Sequence, residues 1–558
     1  MQISSSRIDK WRIFFASILF FAPFLGGVHL FDWDEINFAE LAREMVISGS
    51  WLSPQLGFQP FTEKPPLFFW MQALSMEAFG IGEYAARFPN VLAGLVTLWI
   101  IYDIGFRLHG QRLARWWVLA YFGSTLPHMY FKSGLIDPWF NFFIFGGLWF
   151  LIKYHWRKNE FKGSYLKHPP STYLVIAALF TGLGILTKGP VAYLIIGLSL
   201  FVYWILGRFR FFIKPIPFIL YTLMALLVTG IWYGLETAFN GPDFIVEFTK
   251  RQWALLTTPD AGHGGFPAYH FVVLLIGVFP ASAFALQGLL KKHGDVGVQK
   301  DMRIWMTILL LVVLVLFSLV KSKIVHYSSL AYFPLSYLAA FTLERLSNGN
   351  WSLHISVRIL LAFLAFLYFV ACTGLVLAGQ NAEIVQGWLA ADPFAMNNLN
   401  AQVSWPLITW LPALVILLVQ LVFQLLYNKQ RTRSLNWLFI GHALWVQLAL
   451  VTFIARIEGF SQRAHIEFFK SMSEEDAWLG TYRFKSYVPY FYGELMPADD
   501  NRGAVWHAQR PRNKPAYISV KEGQQQRFLR AYPDAVPLYS KNGFHFFKLR
   551  ADPSVAAP

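Results

Sequence analysis

The chain has 558 residues, of which 56% are hydrophobic and only 14% charged, with 54 Phe and 22 Trp. This excludes a soluble enzyme of such size, because several apolar runs reach the roughly 20 residues that a helix needs to cross a bilayer. The net charge of +15 fits cytoplasmic loops and anionic headgroups. No basic, aromatic-interleaved groove motif argues for nucleic acid, and the single cysteine, Cys372, excludes an internal disulfide or a cysteine metal cluster.

Arg7, Lys10 and Arg12 precede an apolar run from Trp11 to Leu30. That run is longer than a signal h-region and lacks a small-x-small cleavage site, so it is read as a retained first helix. Apolar runs then predict spans near 12–30, 84–106, 114–131, 137–153, 172–187, 189–206, 216–238, 269–290, 304–320, 325–344, 355–378, 406–427 and 436–455. That makes about thirteen transmembrane helices. The fifth and sixth meet at Gly189-Pro190, and residues 66–80 are read as a helix lying at the interface.

Every second loop is basic. After the N-terminus come Arg107, Arg112 and Arg115, then Lys153, Arg157, Lys158, Lys162 and Lys167, then Arg208, Arg210 and Lys214. Lys291, Lys292, Lys300 and Arg303 follow, then Arg345 and Arg358, then Lys429, Arg431 and Arg433. Lys and Arg stay cytoplasmic, so the N-terminus is expected inside and the intervening loops outside. The outer set then contains Asp34, Glu35, Glu63, Lys64, Asp137, Lys188, His263, Lys321 and Lys323. Charged groups gathered at one membrane face point to a functional site there.

The stretch from Phe31 to Pro66 is the most charge-dense of these. Within it, Arg43 and Glu44 are expected on a helix surface, and Glu40 and Glu44, one turn apart, repel unless solvated. After residue 457 polarity rises. Ala516–Val520 and Gly543–Leu549 read as strands and Ile466–Leu479 as a helix, which predicts a small C-terminal α/β domain. The expected division is a transmembrane catalytic domain over 1–456, with a periplasmic loop and interfacial helices at 31–83, and a periplasmic domain over 457–558.

Carboxylates with lysines at a membrane face suit an anionic, lipid-tailed substrate. Lys64, Lys188, Lys321 and Lys323 are candidates to neutralise phosphate oxygens as point charges. Asp34 is a candidate base or orienting group for an acceptor. Glu63 and His263 offer ligands for a divalent metal, zinc or magnesium/manganese.

Asp34 through Met45 resembles the Asp-Glu-x-x-Tyr/Phe-Ala-Glu-x-x-Arg-Glu-Met signature of the bacterial lipid A 4-amino-4-deoxy-L-arabinose transferases, which stand with the protein O-mannosyltransferases among GT-C glycosyltransferases. Phe61–Pro66 is similar to their Glu-Lys-Pro motif and Leu135–Trp139 to their second acidic motif. Leu186–Pro190, Ser318–Tyr327 and Ser486–Tyr492 resemble further family elements in order. The resemblance implies a polytopic α-helical GT-C fold, an undecaprenyl-phosphate (polyprenyl-phosphate) sugar donor, a periplasmic site in the bacterial inner membrane, and inversion at the anomeric carbon. It implies Asp34 as the essential acid, with Glu35 and Asp137 beside it, and Lys64, Lys188, Lys321, Lys323 and Tyr327 around the donor phosphate. Glu63 and His263 become metal ligands by analogy. The expected acceptor is lipid A or another glycolipid; transfer to Ser/Thr of a protein is the alternative. A lipid or sugar transporter is the rival class, which the one-sided charges and the lack of an internal repeat disfavour.

Overall fold

The computed structural model describes residues 2–159, 166–257, 264–291, 294–496 and 513–551. The chain opens with α1 (Gln2–Phe21), α2 (Asp34–Ser48), a two-stranded hairpin of β1 (Gln55–Leu56) and β2 (Gln59–Pro60), and α3 (Leu67–Phe79). Then come α4 (Glu83–His109), α5 (Gln111–Phe122), α6 (Thr125–Tyr130), α7 (Asp137–Lys158), α8 (Pro170–Lys188), α9 (Val191–Leu206), α10 (Pro215–Asn240) and α11 (Asp243–Thr257). They are followed by α12 (Tyr269–Gly277), α13 (Ala281–Leu290), α14 (Gly297–Leu319), a 3-10 turn at Val325–Ala331, α15 (Tyr332–Ser347) and α16 (Ile355–Gln380). After the short helices α17 (Ala382–Trp388) and α18 (Pro393–Asn398) come α19 (Leu411–Leu426) and α20 (Arg431–Ser461).

Among the described residues, seven helices are long and apolar enough to cross a membrane, or eight if the bent pair α12 and α13 is one span. The remaining runs expected to span are helical too, but shorter, more charged or broken. Helix α1 stops at Phe21 rather than Leu30 because Pro23 cannot donate and Phe24 turns left-handed at φ 63°. The run at 114–131 splits at Gly123, where a Cβ would stand 2.7 Å from the Phe439 carbonyl. The run at 269–290 bends by 115° ahead of Pro280, which offers no N–H to continue the ladder. Helices α8 and α9 meet at Gly189-Pro190 as expected, with Gly189 at φ +116°.

The alternating basic loops come together in space. Lys10 donates to Asp103 at 2.7 Å, Arg115 pairs with Asp9 at 2.8 Å, and Arg303 and Arg345 share Asp295 at 2.8 and 2.5 Å. Arg112 bonds Asn348, so the starts of α1, α5 and α14 and the ends of α4 and α15 form one basic end.

The C-terminal segment adds α21 (Arg463–Ser471), β3 (Trp478–Tyr482), α22 (Val488–Phe491), β4 (Ala516–Lys521), α23 (Gln525–Ala531), β5 (Val536–Lys541) and β6 (Phe544–Leu549). The two expected strands are β4 and β6. The expected helix over Ile466–Leu479 ends at Ser471, and Leu479 lies instead in β3. The sheet order is β3-β4-β6-β5, with β3 parallel to β4 and the other pairs antiparallel. This sheet shares a hydrophobic core with α2 and α3: Phe38, Leu41, Phe68 and Phe69 pack in one cluster with Phe468, Tyr487, Tyr517 and Phe546.

Helix α2 overturns one expectation. Glu40, Arg43 and Glu44 do not lie on its surface; they are 0%, 2% and 0% exposed. Arg43 bridges both oxygens of Glu40 at 2.7 Å and donates to the Leu495 carbonyl at 2.6 Å. Glu44 accepts from Gly57 and Phe58 N–H at 2.5 and 2.7 Å, which fixes the β1–β2 hairpin. Burial and the neighbouring Glu40 push the Glu44 carboxyl well above the usual range, so a bound proton relieves the repulsion that solvation was expected to relieve. Gly49, at φ 69°, ends the helix by donating to the Met45 carbonyl.

Removing one partner of such a buried pair typically costs ~3–5 kcal/mol, whereas replacing both is far milder. Arg43→Met should therefore lower stability by that order in detergent unfolding, and Glu40→Gln with Arg43→Met should recover much of it. A single-variant loss within experimental error would contradict this role.

Candidate active site

Two cavities meet beneath α2. The larger, of about 790 Å³, is lined by polar groups from Asp32, Lys132 and Lys485 and by an apolar strip of α20, Leu450, Val451, Ile454 and Ala455. The smaller, of about 270 Å³, is lined by Asp137, Lys188 and Tyr327 and by apolar Val191, Leu194 and Ile195. Asp34, Glu63, Lys64, Arg251, Ile324 and His326 line both. The shared wall thus carries two carboxylates, two cations and an imidazole.

Asp34 is the first residue of α2. Its side chain is 41% exposed and its Oδ2 lies 3.9 Å from His326 Nε2. The neighbouring Glu35 is arranged differently. It is buried and accepts from Arg87 Nε and Nη2 at 3.1 and 2.8 Å, Gly134 N at 2.6 Å and Phe31 N at 3.0 Å. Those four bonds fill the roughly four acceptor positions of a carboxylate. Burial opposes its charge, but the Arg87 guanidinium and these donors outweigh burial and hold the carboxyl below its usual range.

Asp137 starts α7 with Pro138 at the second helical position, and Lys188 ends α8. The antiparallel helices bring the two together at 2.7 Å. Lys188 Nζ also lies 5.4 Å from the Tyr327 ring, and Lys64 Nζ lies 5.0 Å from the Phe38 ring. Lys64 is placed by Pro65-Pro66, which lead straight into α3.

The structure does not bring every expected residue here. Lys321 is exposed and outside both cavities. Lys323 is buried, and its ammonium donates to the carbonyls of Phe317, Ser318 and Val320 at 2.9, 2.7 and 2.6 Å, closing the C-terminus of α14. With its three donors used, it has none left for a phosphate. His263 lies outside the described residues. Among the described residues, no three His, Cys, Asp or Glu side chains converge as a metal site requires. Glu63 stands in a wall with Lys64 and Arg251, whose charges disfavour a cation beside it.

Sequence reasoning missed Arg251, His326 and Asp32. His326 sits directly before Tyr327 in a motif already singled out. Arg251 lies on amphipathic α11 and carries no motif. Asp32 is tied to the C-terminal segment: its Oδ1 accepts from Tyr487 N at 3.2 Å, while Trp33 Nε1 donates to the Lys485 carbonyl at 3.1 Å. Burial pushes the Asp32 carboxyl up to about 6.

This fold, with a two-chambered centre at one end of a helical bundle, is that of a polytopic α-helical membrane protein. The crystal structure of ArnT from Cupriavidus metallidurans bound to undecaprenyl phosphate superposes with a TM-score of 0.76, covering 98% of each chain at 20% identity. A family model described as dolichyl-phosphate-mannose-protein mannosyltransferase matches residues 63–233. The chain is 28% identical over 359 residues to an undecaprenyl phosphate-alpha-4-amino-4-deoxy-L-arabinose arabinosyl transferase of Proteus mirabilis, covering 62% of each. It is 29% identical over 344 residues to the same-named protein of Edwardsiella ictaluri, covering 60% of this chain and 59% of that one. The chain thus spans about three fifths of the length of the curated relatives it matches. The resemblance read from the motifs holds: this protein is similar to the aminoarabinose transferases in sequence and shares the ArnT fold.

The raised Asp32 carboxyl gives a signed prediction. A folded-state value of about 6 against 3.8 unfolded stabilises the fold fully below 3.8, and this contribution is lost as pH rises through about 6. The difference in melting temperature between the parent and Asp32→Asn should therefore change between pH 4 and 7, with the parent gaining on acidification. A pH-independent difference would remove Asp32 as the titrating group.

Proposed function

We propose that this protein is a glycosyltransferase of the cell envelope. It moves one sugar from an undecaprenyl-phosphate carrier to lipid A or a related glycolipid. The observation that carries the reading is the shared wall: the carboxylates of Asp34 and Glu63 face two chambers, one cationic with an apolar flank and the other larger and amphipathic. The named relatives and the ligand in the ArnT structure support the same donor chemistry.

In this reading the smaller chamber holds the polyprenyl phosphate. Lys188, Lys64 and Arg251 face the phosphate, and Val191, Leu194 and Ile195 face the first isoprene units. The sugar lies at the shared wall and the acceptor enters the larger chamber, with its acyl chains along the α20 strip. An acceptor oxygen attacks the anomeric carbon, the bond from that carbon to the phosphate oxygen breaks, and the polyprenyl phosphate leaves with the bonding pair. Cations already fixed around the departing phosphate stabilise the charge it gains and supply the neutralisation a divalent metal would otherwise provide. A lipid A phosphate is already anionic and needs no base, so Asp34 then orients the reacting groups and stabilises positive charge at the anomeric carbon. A hydroxyl acceptor would give its proton to Asp34. Glu35 and Asp137 act as positioning groups, the first through Arg87 and the second through Lys188.

The proposed topology has thirteen crossings, the N-terminus and the basic end in the cytoplasm, and the residues after 457 as a periplasmic domain in the inner membrane. The grouping of basic loops at one end supports it.

Asp34→Asn should lower transfer by roughly 100-fold or more while undecaprenyl-phosphate binding stays within about twofold. Arg251→Ala should show the opposite pattern first, with weaker donor binding. Both are read with purified protein, by radiolabelled sugar transfer and by binding of labelled undecaprenyl phosphate. Full transfer by Asp34→Asn would overturn the assignment.

A further inference from the structure

At the basic end, far along α7 and α8 from the reaction centre, lies a third cavity of about 320 Å³ between α4, α7 and α8. Its floor is aromatic, built from Trp149, Phe150 and Phe180. Gly146 is required for it, because a Cβ there would overlap the Phe180 ring, so the glycine lets that ring lie flat on α7. Its rim is cationic, from Arg107, Lys153 and Lys167.

The charges do not cancel. Asp103 is the one carboxylate in the lining, and Lys10 and Arg107 engage it. Lys153 makes no ion pair among the described residues. Its ammonium sits 4.4 Å from the Tyr173 ring centre and 5.3 Å from that of Phe150, within an aromatic cage rather than in a salt bridge. Lys167 is exposed at the rim. On the same helices Trp99, Val175 and Leu179 are 47%, 51% and 43% exposed, the apolar faces that meet lipid.

We infer that this cavity is a binding site for an anionic membrane phospholipid, with its phosphate among Lys153, Lys167 and Arg107 and its glycerol and upper acyl carbons on the aromatic floor. A basic pocket between membrane helices on the cytoplasmic side selects such headgroups. The aromatic floor argues for a lipid over a soluble anion, since a free phosphate gains nothing from desolvating it. The site is separate from the transfer reaction and does not rest on it. It does share its two helices with that centre, since α7 begins at Asp137 and α8 ends at Lys188. Lipid that braces their basic ends therefore steadies the ion pair at the other.

The test uses the full chain, delipidated in neutral detergent. Phosphatidylglycerol, phosphatidylcholine with the same acyl chains, and inorganic phosphate are added separately; bound lipid is read by native mass spectrometry and the melting temperature by thermal shift. Phosphatidylglycerol should stay bound and raise the melting temperature, and the other two should not. Lys153→Gln with Lys167→Gln should weaken its retention by roughly tenfold or more, at about one kcal/mol for each cation. If that pair folds poorly, Lys167→Gln alone, at an exposed position, should lose roughly fivefold. Equal effects of the two lipids, full retention in the variants, or a shift reproduced by inorganic phosphate would each overturn the assignment.

Discussion

The structure depends on the buried pair of Glu35 and Arg87. Besides Glu35, the Arg87 guanidinium donates to the carbonyls of Leu25, Val28 and His29 at 2.6, 2.8 and 3.0 Å. Glu35 in turn holds Phe31 and Gly134. One ion pair therefore fixes the loop after α1, the first turn of α2, the side of α4 and the loop before α7. Asp34 is the residue next to Glu35, so its position in the shared wall follows from that network. Desolvating two charges is expensive, and complete hydrogen bonding is what makes it tolerable. The gain lies in a single defined geometry around Asp34.

The same stretch is held from above by the C-terminal segment. Tyr492 OH accepts from Leu30 N at 2.7 Å and donates to Glu83 at 3.1 Å, and Tyr487 and Lys485 hold Asp32 and Trp33. Farther from the cavity, His465 lies between Ser519 and Ser486 at 3.0 and 3.2 Å, and burial pushes its imidazole down to about 3. A neutral imidazole can accept from one hydroxyl and donate to the other, so it links strand β4 to the loop that carries Tyr487. The C-terminal sheet thus packs over α2, which roofs the larger chamber, and shares a core with α2 and α3.

Much of this was legible in the sequence for identifiable reasons. Hydropathy located the membrane helices because lipid demands long apolar runs. The Lys/Arg alternation foresaw the basic end because charge follows membrane side. Asp34, Lys64, Asp137 and Lys188 stood out because each sits at a helix end or beside a proline, where sequence signals are strong, and Glu63 stood out through its motif with Lys64 and Pro65. What escaped is tertiary. Nothing local says that Glu40, Arg43 and Glu44 are buried, since an amphipathic charged face looks the same whether it meets water or another domain. Lys323 read as a phosphate ligand because a cap on the C-terminus of α14 and an anion site ask for the same side chain. Arg251 gave no signal, because α11 is brought to the cavity only by folding.

In the proposed reaction one carboxylate wall joins a lipid-phosphate donor chamber to a glycolipid acceptor chamber. The most direct measurement is mass spectrometry of lipid A after purified protein is incubated with undecaprenyl-phosphate-linked aminoarabinose. The expected result is a mass increase of one sugar per modified acceptor, with undecaprenyl phosphate released in equal amount. Unmodified lipid A, with the donor intact although bound, would contradict it.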